Sequence, residues 1–138
     1  MLSHVDSNNQ PAMVDVGDKA VTKRTAHART TVVVGAEIMA LLEDGDIRSK
    51  KGPVFQTAII PGTMACKKTS DLIPFCHPLA IEDCTIAIAP NAEGEVIIDC
   101  RVSLHAKTGV EMEALTAATV AALTIYDMCK AMSHDIVI

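Results

Sequence analysis

Two carboxylates, Glu111 and Glu113, stand at the entrance of an Ala/Leu/Ile-rich segment running from Lys107 to Lys130, and Asp127 and Lys130 stand near its end. Ionised side chains are costly to bury, so a helix that carries them must aim them at water, at a partner or at a site. At 100° per residue, Thr116, Thr124 and Asp127 fall within about 60° of Glu113, with Thr119 and Lys130 on one flank of the same stripe. Leu115, Ala118, Ala122, Ile125 and Cys129 take the opposite, apolar side. Asp127 and Lys130 are neighbours at i, i+3. A surface ion pair on a solvated helix face is the plain alternative. Solvated faces are usually dense in Lys and Glu, whereas this stripe is mostly threonine, so the pair reads as placed. Geometry alone leaves both readings open.

The separation of the two ends is informative. Glu113 and Asp127 are about 21 Å apart along a helix axis at 1.5 Å per residue. They cannot act on one small group from the same chain. Either the substrate is long, or two subunits each contribute one end of the helix to a shared site, and an oligomer with composite sites is expected.

Other groups surround this segment. Lys50, Lys51, Lys67, Lys68 and Lys107 flank loops, and with Arg24 they form a set able to hold an anion, phosphate above all; for any one of them a scattered surface lysine is the simpler reading. Cys76 and His77 lie between Pro74 and Pro78. Two adjacent ligands without others at suitable spacing are weak evidence for a metal. A histidine held at a loop tip suits an acid, a base or a substrate contact better. For Cys76 a small buried thiol is the plainer reading.

Several elements must position these groups. Arg29 to Val34 is β-branched and reads as a strand, and Glu37 to Glu43 as a short helix ended near Gly45. Asp44 to Gly52 reads as a polar loop carrying Lys50 and Lys51. Val54 to Asp71 has helical composition interrupted by Pro61-Gly62, which predicts a kink or two short helices. Ile81 to Ala89 and Glu95 to His105 form a hairpin about the turn Asn91 to Gly94. In its second strand Val96, Ile98, Cys100, Val102 and Leu104 alternate with more polar neighbours. This order predicts an α+β domain with an antiparallel sheet packed against helices on one face.

The whole chain, 1–138, reads as one domain, its first twenty residues a polar and mobile arm. Its 49% apolar but only 2% aromatic residues, with no Trp, predict a core of Ile, Val, Leu, Met and Ala. A formal charge of −5 argues against a general nucleic-acid surface. Five cysteines without a CxxC pair suit reduced thiols in the cytoplasm better than a disulfide framework. No apolar run is suited to spanning a bilayer, so no membrane partner is expected.

The stretches Met13-Val14-Asp15-Val16, Lys51-Gly52, Lys67 to Thr69, DLIPFCHPL at 71–79 and KTGVEMEALTAATVAALTIYDMCKA at 107–131 closely resemble the MoaC family, the cyclic pyranopterin monophosphate synthases of molybdenum-cofactor biosynthesis. The resemblance runs over nearly the whole chain. It implies a ferredoxin-like, MoaC-like α+β fold and a homohexamer arranged as a trimer of dimers, with active sites at subunit interfaces. The implied reaction rearranges 3′,8-cyclo-7,8-dihydroguanosine 5′-triphosphate to cyclic pyranopterin monophosphate and releases pyrophosphate.

Carried over by position, the resemblance makes Asp127 catalytic, with Lys130 as its essential partner. It places substrate contact on Phe75, Cys76 and His77 and on Met112 and Glu113. Lys51, Lys67, Arg24 and Glu111 match further pocket positions, and Lys51 is counted with the catalytic group. Ring opening and phosphate cyclisation need proton transfers in both directions, which an Asp/Lys/His set supplies. Pyrophosphate expulsion needs nearby cations. No dedicated metal or cofactor is expected, although a Mg²⁺ carried on the substrate's phosphates is compatible. Phe75 stands where the family usually has leucine, and Pro53 and Pro61 replace helix-compatible residues. The family usually continues past Val137-Ile138 with a strand and a Gly/Lys-rich tail, which this sequence is expected to lack. A non-catalytic oligomeric protein that binds a nucleotide or pterin phosphate is the second reading.

Overall fold

The alternation along β6 (Glu95–Ala106) decides the architecture. Val96, Ile98, Cys100, Val102 and Leu104 are all buried, so this strand has one face committed to a core. The computed structural model describes residues 4–138. In it β6 is the central strand of a three-stranded antiparallel sheet, between β1 (Thr22–Val33) and β5 (Asp83–Pro90). β1 is longer than its β-branched stretch and pairs with β6 along its full length, from Thr22 opposite Ala106 to Val33 opposite Glu95. The β5–β6 turn is closed by Asn91, whose side-chain oxygen accepts from the amides of Glu93 and Glu95, both at 3.0 Å. Gly94 takes the positive φ of 76° that this turn requires. Val137 bridges Val33, placing the final apolar run against β1.

Two helices cover the inner face of the sheet. α4 (Glu111–Cys129) packs on β1 and β6, and α2 (Val54–Lys67) packs on β5 and along α4. The buried positions of α4 are mainly alanine: Ala114, Ala117, Ala118, Ala121 and Ala122. Small residues permit close approach, and Gly62 of α2 sits where a Cβ would meet Ala117 O at 3.1 Å and Ala121 Cβ at 3.2 Å. This packing accounts for a difference from expectation. α2 runs unbroken through Pro61, because Ala58, Gly62, Ala65 and Cys66 continue its buried face across the proline. Only after Lys67 does the chain turn into the short α3 (Thr69–Leu72).

Residues 35–53 are more ordered by hydrogen bonds than a polar loop would be. α1 spans only Gly35–Met39. A second small antiparallel sheet follows, of β2 (Leu42–Glu43), β3 (Asp46–Ser49) and β4 (Gly52–Pro53). Asp44 and Gly45, at φ 52° and 80°, form the two-residue hairpin loop between β2 and β3. The five cysteines are all free, and burial pushes the thiols of Cys66 and Cys100 up to about 12 and that of Cys129 up to about 11. Among the described residues no helix is long and apolar enough to cross a membrane.

Candidate active site in two halves

The carboxyl end of α4 carries the first half. Asp127 Oδ2 accepts from Lys51 Nζ at 2.7 Å, and Asp127 Oδ1 accepts from Lys130 Nζ at 3.2 Å. Lys51 reaches α4 from a tight turn between β3 and β4. Ser49 Oγ accepts from the Lys51 amide at 3.1 Å and donates to the Gly52 carbonyl at 3.0 Å, while Gly52 takes φ 110°. The turn is anchored by Asp46, a buried carboxylate at the start of β3. Its Oδ1 accepts from the amides of Ile47 (2.6 Å) and Phe55 (2.7 Å), and its Oδ2 from Gln56 (3.2 Å). Phe55 and Gln56 are in the first turn of α2, whose local cap, Pro53, has no side chain able to accept. Asp46 therefore caps α2 from a distance, satisfying orphan amides at the positive end of the helix.

Asp127 is about half exposed, and its carboxyl is held below the usual aspartate range, first by the hydrogen bond from Lys51 and then by that from Lys130. It is an ionised acceptor between two ammonium groups. Such a cluster can bind an anion through its lysines and take a proton through its carboxylate.

The amino end of α4 carries the second half. A cavity of about 470 Å³ opens there, with Phe75, Cys76, His77, Glu111, Met112 and Glu113 in its wall. Cys76 is placed by the loop after α3, where its amide donates to the Ile73 carbonyl at 3.2 Å. Its Sγ donates to Glu113 Oε1 at 3.7 Å. Glu113 is 2% exposed, and its Oε2 is buried with no hydrogen-bond partner among the described residues. Burial raises its carboxyl above the ordinary value, although the Cys76 contact acts in the opposite sense. Burial, and then the neighbouring Glu113, raises the Cys76 thiol. Cys76 is thus a hydrogen-bond donor here and not an activated nucleophile. Gly109 makes room for Glu111, because a Cβ there would collide with the Glu111 carboxylate.

A family model described as "MoaC family" matches residues 13–138. The chain belongs to the MoaC family. It is 54% identical over 134 residues to a cyclic pyranopterin monophosphate synthase of Xanthomonas axonopodis pv. citri, a match covering 97% of this chain and 81% of that one. It is 50% identical to molybdenum cofactor biosynthesis protein 1 of Dictyostelium discoideum over 99% of its own length, but it spans only 24% of that protein. A molybdenum cofactor biosynthesis bifunctional protein of Synechocystis is also 50% identical, over 100% of this chain and 41% of that one.

Within this MoaC-family chain, all but two of the sequence-derived site residues fall into two sets. Lys51, Asp127 and Lys130 meet at one end of α4, and Phe75, Cys76, His77, Glu111, Met112 and Glu113 at the other. Arg24 and Lys67 join neither set. Arg24 is half-buried on the helix-facing side of β1, opposite Leu104, and its Nε is buried without a partner among the described residues. Lys67 is exposed in the last turn of α2. Lys107, grouped by sequence with the anion-holding lysines, instead donates to the Gly17 carbonyl at 3.1 Å.

The polar and apolar faces of α4 differ from the angular expectation at two positions. Glu113 does not share the exposed face of Asp127; it lies at the edge of the buried alanine face, while Leu115, assigned to the apolar side, is 49% exposed. The buried arc of α4 is centred on Ala114, Ala117 and Ala121, because these small side chains let α2 approach. Sequence reasoning missed Asp46, for which the Asp44-Gly45 hairpin signal was available, and His4, a further wall residue of the cavity. Among the described residues no group of three or more His, Cys, Asp or Glu side chains is placed to hold a metal ion.

Proposed function

We propose that this chain is a cyclic pyranopterin monophosphate synthase, a lyase that converts 3′,8-cyclo-7,8-dihydroguanosine 5′-triphosphate to cyclic pyranopterin monophosphate and pyrophosphate in the cytoplasm. The observation that carries the reading is the 54% identity over 97% of the chain to a protein of that name. The two half-sites supply chemistry of the kind the reaction needs.

Closing the cyclic phosphate requires a sugar hydroxyl to lose its proton and its oxygen to bond the α-phosphorus. The bond from that phosphorus to the bridging oxygen breaks, and pyrophosphate leaves with the electron pair. Asp127, kept ionised by two lysines, is the acceptor for the proton. Lys51 and Lys130 stabilise charge on the phosphates as it moves to the leaving group. Ring opening needs donors instead, and His77, the Cys76 thiol and the Glu113 carboxyl, biased towards its neutral form by burial, serve there. The volume of the cavity and its Phe75 and Met112 walls suit a flat heterocycle. A Mg²⁺ would arrive on the substrate's triphosphate, since no group of three or more His, Cys, Asp or Glu among the described residues is placed to hold one.

The halves are about 21 Å apart along α4, so a working site draws Glu113 and its cavity from one subunit and Asp127 with its lysines from a neighbour. A homohexamer built as a trimer of dimers satisfies this. Ile60, Met64, Leu72, Leu115 and Leu123, all between 49% and 62% exposed on the helical layer, support such association. Incubation with the cyclic intermediate should release pyrophosphate, and Asp127→Ala or Lys130→Ala should abolish release with the fold intact. Full activity in either variant refutes the roles. Saturable binding by the wild-type protein without turnover would favour a binding protein instead.

A further inference from the structure

His4 is a third imidazole-or-thiol side chain in the cavity wall, beside Cys76 and His77. It lies outside residues 13–138 that match the family model, yet it stands in the wall of the cavity with Cys76, His77 and Glu113. It arrives there on a hairpin that closes on itself. Val5 bridges Pro11, and the Ala12 amide donates to the His4 carbonyl at 2.8 Å. At the tip, Asp6 Oδ1 accepts from the amides of Asn8 (2.8 Å) and Gln10 (2.9 Å), and Asn9 takes φ 59°, a conformation asparagine tolerates better than most residues. The next turn is set by Asp15 Oδ1, which accepts from the Gly17 amide at 2.8 Å. Lys107 then clips the Gly17 carbonyl, only one residue before Thr108 and two before Gly109, both in the cavity wall. The arm is therefore tied to the rim at Gly17, and the main chain of His4 is fixed within the hairpin by a hydrogen bond.

The remaining wall is largely apolar, from Ile73, Pro74, Phe75, Leu79 and Met112, and its polar groups are those of Cys76, His77, Thr108, Glu111 and Glu113. Apolar walls grip the faces of a flat ring, and the polar groups read its edges. An imidazole presents one donor and one acceptor when neutral, which matches the alternating N–H and C=O groups of a fused pyrimidinone edge.

We propose that His4 is a substrate-contacting residue of this cavity, hydrogen-bonded to the heterocyclic part of the ligand and held there by the amino-terminal hairpin. The proposal rests on the synthase reading for the identity of the ligand. Two measurements on the full chain test it. In pyrophosphate release from the cyclic intermediate, His4→Ala should raise KM about three- to tenfold, the worth of one hydrogen bond from an exposed imidazole, and change kcat by less than about threefold. His4→Gln, which keeps a donor and an acceptor, should recover most of that loss. Asp6→Ala, which opens the hairpin tip but leaves the imidazole, should raise KM in the same direction. Independently of turnover, the ring nitrogen resonances of His4 should shift when guanosine triphosphate or cyclic pyranopterin monophosphate is titrated in. A wild-type protein that binds these ligands and shifts His4 without releasing pyrophosphate would defeat the synthase reading and keep the contact. A His4→Ala KM within twofold of wild type, or His4 resonances unmoved by both ligands, overturns the proposal.

Discussion

Replacing Asp46 by alanine should be the most damaging single change outside the site itself. Three amides lose their acceptor: Ile47 at 2.6 Å, Phe55 at 2.7 Å and Gln56 at 3.2 Å. Asp46 and Phe55 are buried, at 8% and 4% exposure, so water cannot readily replace the carboxylate. A buried donor left unsatisfied costs about 1–3 kcal/mol, and loss of a carboxylate at the amino end of a helix about 0.3–2 kcal/mol more. The expected destabilisation is about 3–5 kcal/mol. At about 2.1 cal/mol/K of unfolding entropy per residue, the chain would melt roughly 10–17 °C lower. Asp46→Asn keeps the oxygen that receives the two short bonds and gives up only the long bond and the charge, so it should cost about 1 kcal/mol. Because β3 and β4 present Lys51, pyrophosphate release by Asp46→Ala should also fall at temperatures well below its melting point. Thermal unfolding followed by circular dichroism, with turnover measured on the same samples, makes the test. A melting point for Asp46→Ala within about 2 °C of wild type would refute the remote-cap argument.

Two further outcomes follow from the packing of α4. Gly62→Ala gains about 1 kcal/mol of helix propensity, but its Cβ would lie 2.7 Å from Ile86 Cδ1 and 3.1 Å from the Ala117 carbonyl. Backbone cannot yield as a side chain does, and overpacking costs about 1–3 kcal/mol; a net fall in melting point is expected, and a rise would show that α2 and α4 are not in close contact there. Glu113→Gln should alter the pH dependence of stability. Burial raises the Glu113 carboxyl in the folded state, so its contribution is fully present below the unfolded glutamate value and is lost as pH rises through the raised one. The variant, which cannot ionise, should therefore gain in melting point relative to wild type as pH rises above about 4.3, and a difference constant with pH would count against a buried, desolvated carboxyl.

Much of this arrangement was legible in residue order. The alternation of β6 named its buried face residue by residue, and the spacing of charges in α4 showed that its two ends lie too far apart to act on one small group from a single chain. What escaped had physical causes. β1 extends well before its β-branched stretch because full-length pairing with β6 outweighs the weak strand preference of Lys23, Arg24 and Ala26. Pro61 did not split α2, because tertiary packing against α4 holds the helix on both sides of it. Glu113 looked exposed by angular position, since a helical wheel carries no information on which arc a neighbouring helix will cover. Asp46 acts across nine residues on Phe55, a reach that local capping patterns do not describe. His4 enters the cavity only through the folding of a polar hairpin, and no periodicity marks it.

The proposed working site joins the cavity of one subunit to the Asp127 cluster of another. It is tested most directly by mixing two inactive variants, His77→Ala and Asp127→Ala, under conditions of subunit exchange verified by mass, and measuring pyrophosphate release from the cyclic intermediate. Random pairing across a two-fold interface leaves one intact site in each mixed pair, so activity should return to about a quarter of the wild-type level. Complete exchange with no recovery would rule out a site shared between subunits.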